Sequence, residues 1–439
     1  MDRSLPAPKA AGVALTRASL AIVLALGLGG CSYIPWLGGD KDPTPPAKLE
    51  AFVQEVALNV RWSDRLTKGS EGRRLHLIPA VGGGRILVAD SRGRVVAADL
   101  DSGRVLWERE TKLPFSGGPD LAGDRLFLGT SGGQVLALSA SDGHEIWRAQ
   151  LDGEVLSVPR SAQGSVIVHT LDDTVYGLDV SNGAEQWRVS YPAPVLTLRG
   201  SSSPTITPTG VVVGLSGGKL LKLDPTDGTP LWEVTVTPPR GRSELARISD
   251  IDADPVAVGT LVFVGTYNGD LAAVDLESGT ILWRRQLSSY AGLAATETNL
   301  FVTDSEDQIW AADPVSGAGR WKQERLRYRQ LTAPALIGNL IAVGDLDGYI
   351  HLIAQKDGRL VGRARISKKG AINARPVVSG NRLIVYTNDG ALAVMATGTA
   401  PAPTGKALKS QAAEGGAKAA IPATGGSVTR AGEIGLPAP

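Results

Sequence analysis

GRVVAADLDSGRVLW (residues 93–107) sets a pattern that returns along the chain. It recurs as GQVLALSASDGHEIW (133–147), DTVYGLDVSNGAEQW (173–187), GKLLKLDPTDGTPLW (218–232), GDLAAVDLESGTILW (269–283), DQIWAADPVSGAGRW (307–321) and GYIHLIAQKDGRLVG (348–362). Each copy opens on Gly or Asp and carries a glycine ten residues later. Six close on Trp fourteen residues after the opening, and the last has Gly362 in that place. Within one copy, Val95-Val96-Ala97-Ala98 reads as a strand, Ser102-Gly103 as a turn that uses the positive φ of glycine, and the Trp107 stretch as a second strand. Another apolar run precedes each copy, such as RLFLGT (125–130) or LVFVGT (261–266), with a weaker run before that. The repeating unit is four antiparallel strands in about 40 residues, the size of one propeller blade.

The ends of the repeat set the number of blades. YTNDGALAVMA (386–396) has an opening strand but no Trp strand after it, and ALNVRWSDRL (57–66) has a Trp strand with no opening. Paired, they complete an eighth blade. The sequence thus predicts an all-β fold over residues 54–396: an eight-bladed β-propeller of four antiparallel strands per blade, closed by the N-terminal strand joining the C-terminal blade. Trp62, Trp107, Trp147, Trp187, Trp232, Trp283 and Trp321 are expected to pack between neighbouring blades.

Residues 1–30 read as a signal peptide, with Arg3, Lys9 and Arg17 ahead of an uncharged apolar run that ends in small residues. That run is too short to span a membrane. Leu28-Gly29-Gly30-Cys31 resembles the lipobox of bacterial lipoproteins. The resemblance implies cleavage before Cys31, covalent lipid on Cys31 and anchoring of the mature chain, with Ser32 pointing to the outer membrane. Cys31 is the only cysteine, so no intrachain disulfide can form. The Pro- and Gly-rich residues 31–53 are expected to be a flexible tether. Residues 397–439, rich in Ala, Gly, Pro and Thr, are expected to be disordered. Without residues 1–30 the chain holds 42 Lys and Arg against 43 Asp and Glu. It therefore has no basic excess for a nucleic-acid partner.

The blade consensus, Asp-x-x-Ser/Thr-Gly-x-x-x-Trp, resembles the tryptophan-docking repeats of quinoprotein alcohol dehydrogenases. A periplasmic redox enzyme is therefore one alternative, and a ligand-sensing propeller lipoprotein is another. The enzyme family's vicinal disulfide is impossible here, and its large inserts are missing. His76, His144, His169 and His351 are scattered, and Asp250, Asp252 and Asp254 lack the glycine and glutamate of a calcium loop. The expectation is no catalytic residue, no metal and no cofactor beyond the lipid.

Function is sought where the repeat is irregular. The gap from Trp to the next opening is 26 residues after Trp107 and after Trp147, but 31 after Trp187 and 37 after Trp232. Neighbouring blades thus place two enlarged loops, YPAPVLTLRGSSSP (191–204) and TPPRGRSELARISDIDADP (237–255), side by side on one face. Two readings are open and compatible: Arg199 pairs with Asp250 or Asp252 and orders the loops, with the leucines as core, and the loops form a contact surface. The lipobox, the single eight-bladed repeat, LTLRG and SELARISDID together resemble the BamB family, lipoproteins of the outer-membrane β-barrel assembly (BAM) machinery. By position, the resemblance implies that Leu196, Leu198, Arg199, Asp250 and Asp252 bind the POTRA domains of BamA, the barrel-forming subunit. It also implies indirect association with other BAM subunits, assistance to unfolded outer-membrane protein clients, and residence on the periplasmic face of the outer membrane.

Overall fold

The computed structural model describes residues 44–400; the predicted signal peptide, Cys31 and residues 401–439 lie outside them. Within Ala47–Ala400, eight antiparallel sheets follow one another in chain order. Blade 1 is built from Ala80–Gly82, Arg85–Ala89, Arg94–Asp99 and Val105–Glu110. Blades 2 to 7 repeat this order, with outermost strands at Glu145–Gln150, Glu185–Ser190, Pro230–Thr235, Ile281–Gln286, Gly319–Gln323 and Leu360–Arg365. Blade 8 takes Val377–Ser379, Arg382–Tyr386 and Ala391–Thr399 from the C-terminal end and Val56–Arg65 from the N-terminal end. The chain is an eight-bladed β-propeller closed by its first strand.

The repeat pattern has a direct physical cause. Each Trp indole donates to a carbonyl of the next blade: Trp62 to Leu100, Trp107 to Ala140, Trp147 to Val180, Trp187 to Pro225, Trp232 to Leu276, Trp283 to Pro314 and Trp321 to Gln355, at 2.9–3.2 Å. Each ring also lies flat on the next blade's turn glycine. A Cβ at Gly183, for example, would sit 2.5 Å from the Trp147 ring, and the backbone there has φ +75°. The glycine is required both by the turn and by the ring that covers it. Between the blades, second and third strands bury Val, Leu, Ile and Ala on both faces, as in the cluster of Leu87, Val95, Leu126 and Leu136.

The residue before each Trp is the extra residue of a β-bulge, seen as a register shift between Glu145 and Trp147 opposite Leu138 and Ala137. It turns outward and leaves Leu106, Ile146, Leu231 and Leu282 exposed. In blade 7 the corresponding Val361 is buried, because the N-terminal segment covers it. Glu55 N–H donates to Val361 O at 2.8 Å, and a Cβ on Gly362 would meet Val56 O at 2.7 Å. Gly362 replaces Trp because backbone occupies the place a ring would fill.

Two boundaries differ from the sequence reading. Residues 31–53 are expected to form a flexible tether, but from Ala47 onward the segment is fixed. Leu49 and Phe52 pack on the apolar cluster of blades 6 and 7, Arg363 lies 4.9 Å over the Phe52 ring, and Arg325 pairs with Glu50 at 2.8 Å. Two apolar side chains among prolines suffice to hold it, and proline content hid them. The last strand runs to Thr399 rather than 396, since Thr397, Gly398 and Thr399 pair with Leu58, Ala57 and Val56. In blade 2, His76–Leu77 adds a fifth, parallel strand at the inner edge.

Candidate functional site

The enlarged loops join blade 3 to blade 4 (191–204) and blade 4 to blade 5 (236–255). Connections from an outermost strand to the next innermost strand share one face of the ring, so these loops are neighbours.

Asp250 is their hinge pin. It is only 2% exposed. Its carboxylate accepts from Leu198 N–H at 2.7 Å and from Gly217 N–H at 2.8 Å, while its own carbonyl accepts from Tyr267 N–H at 2.9 Å. One side chain thus joins the LTLRG loop to a turn of blade 4 and to blade 5. Burial, with help from the Asp173 charge, raises its pKa against the two N–H groups that favour the anion. Asp254 does the same for the far end of the first loop, accepting from Ser203 N–H at 2.6 Å.

Asp252 is different. It stands against Gly200, where a Cβ would come 2.7 Å from its Oδ1, so the glycine of LTLRG makes room for the carboxylate. Among the described residues it accepts no hydrogen bond. Burial first, then the charges of Asp250 and Asp173, push its pKa up to about 7, against the opposing effect of His169. Beneath it, His169 Nδ1 lies 3.0 Å from Ser202 O and Nε2 lies 3.4 Å from Asp173. Asp250 and Asp254 thus hold separate backbone amides, and Asp252 holds none. Among the described residues no three His, Cys, Asp or Glu side chains converge as metal ligands.

Arg199 does not pair with Asp250 or Asp252, as one sequence-level alternative expected. Its guanidinium reaches across to Glu154 in the blade 2–3 connection, at 2.6 Å, with more than half of its side chain exposed. Nothing in the sequence marks Glu154 as this partner, since it lies 45 residues away in an ordinary-length connection. Leu196 is exposed and Leu198 half-buried, beside an almost fully exposed Val195. The second loop adds a single turn, Glu244–Arg247, capped by Ser243 Oγ accepting from Ala246 N–H, and presents an exposed Leu245. Leu198, Arg199 and Asp252 also border a cavity of about 360 Å³ at the ring centre, together with Arg74 and Tyr290. The five residues singled out in the sequence thus gather in one place: Leu196, Leu198 and Arg199 on one loop, Asp250 buried beneath it, and Asp252 beside Gly200.

A family model described as outer membrane protein assembly factor BamB matches residues 53–115 and 91–323. The outer membrane protein assembly factor BamB of Pseudomonas aeruginosa is 47% identical over 371 residues, 84% of this chain and 96% of that protein. The crystal structure of BamB from Moraxella catarrhalis superposes with a TM-score of 0.71 at 28% identity, covering 77% of this chain and 99% of that one. Quinohemoprotein alcohol dehydrogenase from Comamonas testosteroni superposes with a TM-score of 0.63 at 14% identity, covering 80% and 78%, a likeness of fold alone. The chain belongs to the outer membrane protein assembly factor BamB family.

Proposed function

We propose that this chain is a non-catalytic, lipid-anchored scaffold on the periplasmic face of the outer membrane. It docks through the 191–204 and 236–255 loops onto the POTRA domains of BamA and assists folding and insertion of outer-membrane proteins. The observation that carries the reading is the rigid presentation of Leu196, Leu198 and Arg199. The Asp250 carboxylate holds the loop from below, so exposed Leu196, half-buried Leu198 and the Arg199 guanidinium have little conformational freedom left to lose on binding. Arg199 and Asp252 are the two ionisable side chains proposed to meet the partner. Asp250 acts by positioning, since its carboxylate is already engaged.

Arg199→Glu tests this. The Arg199–Glu154 pair is exposed and contributes at most about 1 kcal/mol to folding, so the variant should unfold close to wild type. Its affinity for purified BamA POTRA domains should fall by ~2 kcal/mol or more, the loss expected of a central contact. Unchanged affinity in a folded variant rejects the docking site.

Client chains are proposed to pair with the outermost strands, whose edges are open and carry exposed aliphatic bulge residues such as Leu106 and Leu282. A photo-crosslinker at Leu106 or Leu282 should capture unfolded outer-membrane protein during assembly; capture at neither site would remove this part of the reading.

A further inference from the structure

Charge is distributed unevenly around the ring. The whole chain has a formal charge of +1, yet residues 320–375 hold twelve Lys and Arg against four Asp and Glu. Several of these cations are satisfied within the fold. Arg320 pairs with Asp313, Arg325 with Glu50, Arg327 with Glu306, Arg359 with Glu55, and Arg329 with both Asp345 and Asp347. Arg365, Lys368 and Lys369 are exposed and make no ion pair among the described residues.

These three cations sit at the connection from blade 7 to blade 8, and that connection is rigid. Arg365 lies 5.0 Å over the Tyr349 ring and donates to Asp347 O and Ser367 O, both at 3.1 Å. Ser367 Oγ accepts from Lys369 N–H and Gly370 N–H and donates to Asp389. The nearest acids are already held, Asp389 by Arg65 at 2.6 Å and Asp347 by Arg329 at 2.5 Å. The two lysine side chains therefore project from a fixed loop with no local carboxylate to neutralise them.

The N-terminal segment enters the ring at the neighbouring blade 6–7 connection. Ala47 N–H donates to Arg327 O, and Ala47 O accepts from Arg329, the same arginine that holds Asp347. Ala47 lies sixteen positions after Cys31, a reach of at most roughly 55 Å when extended. The blade 7–8 connection also lies half a turn around the ring from the 191–204 loop, on the same face.

We propose that Arg365, Lys368 and Lys369 form a membrane-facing contact that binds a lipid surface bearing anionic phosphate headgroups. The tether delivers this edge of the ring to the bilayer, and the cations hold it there while the docking loops stay on the opposite side. The contact is electrostatic, and it is independent of the docking surface. Each cation close to an anionic surface strengthens binding by about fivefold, and the effect decays within a Debye length.

The test uses the mature chain with Cys31→Ser, so that no acyl chain contributes, sedimented with vesicles of phosphatidylcholine alone or with added phosphatidylglycerol. The expected result is binding only to the anionic vesicles, weakened by raised salt, and lowered at least tenfold by Lys368→Glu with Lys369→Glu. Arg240→Glu with Arg242→Glu, two exposed cations on the blade 4–5 loop, should leave it unchanged. Near-ultraviolet circular dichroism identical to the parent shows that the ring is intact. Absence of binding, equal binding to both vesicle types, or equal loss from both pairs of substitutions overturns the proposal.

Discussion

Asp250 and Asp252 lie two residues apart and do opposite work. Asp250 spends its carboxylate on two backbone N–H groups, whereas Asp252 is left without a donor. A carboxyl whose pKa is raised by folding takes up a proton as the chain folds. For Asp252 the uptake spans its ordinary 3.8 to about 7. The associated stability is full below about pH 4 and is lost as pH rises through about 7. Asp307, raised by burial to about 6, titrates in the same direction, so the two must be separated by substitution. Asp252→Asn should gain thermal stability over wild type at pH 8 and little or none at pH 4. A melting difference that is the same at both pH values would contradict this. The alternation Asp-Ile-Asp-Ala-Asp resembles an exposed acidic loop. Nothing local in the sequence reveals that Asp250 is buried, because its partners are the amides of residues 198 and 217. The tryptophans were legible for the opposite reason: each ring requires a glycine at a fixed place in the next repeat, so both members of the contact recur.

At the scale of elements, the innermost strands are as short as three residues and the outermost ones carry a bulge, and both follow from the repeat. The segment 47–55 does not follow from it. It belongs to no repeat, and its contacts lie some 270 to 310 residues away in sequence, with Arg325, Val361 and Arg363. It occupies the one position among the repeats where tryptophan is missing. The absence at Gly362 was visible in the sequence; what fills the space was not. Phe52 is half-buried under the Arg363 guanidinium. Phe52→Ala should lower stability by about 1–2 kcal/mol, less than for a fully buried ring. It should also speed amide exchange at Glu55, whose N–H is held only by Val361 O. Protection at Glu55 equal to wild type would show that the segment is held without the ring.

For the whole molecule, stability is shared around a circle. Seven of the eight interfaces use an indole set on a glycine, and the eighth uses the N-terminal segment, so no blade has a free lateral face. Closure depends on the pairing of Val56–Arg65 with Ala391–Thr399, which joins the two ends of the described chain. A chain ending at Gly390 loses that partner strand and leaves blade 8 with two strands. It should lose its cooperative unfolding transition or melt far below wild type; a truncated chain that melts as one unit near the full-length temperature would show that the ring tolerates an open seam. The circular plan was readable from the unmatched halves at either end of the repeat. The direction in which the ring meets its surroundings was not, because it depends on which charges remain unpaired after folding.

The seam also imposes an order in time. Seven blades are built from neighbours in sequence and can form as soon as their own residues are available. The eighth must bring Asp64 against Leu392, closing a loop of roughly 330 residues at an entropic cost of about 5 kcal/mol. A chain delivered N-terminus first holds its opening strand unpaired until nearly its last residues arrive. During that interval an exposed ten-residue strand and a set of incomplete blade faces are open to other chains.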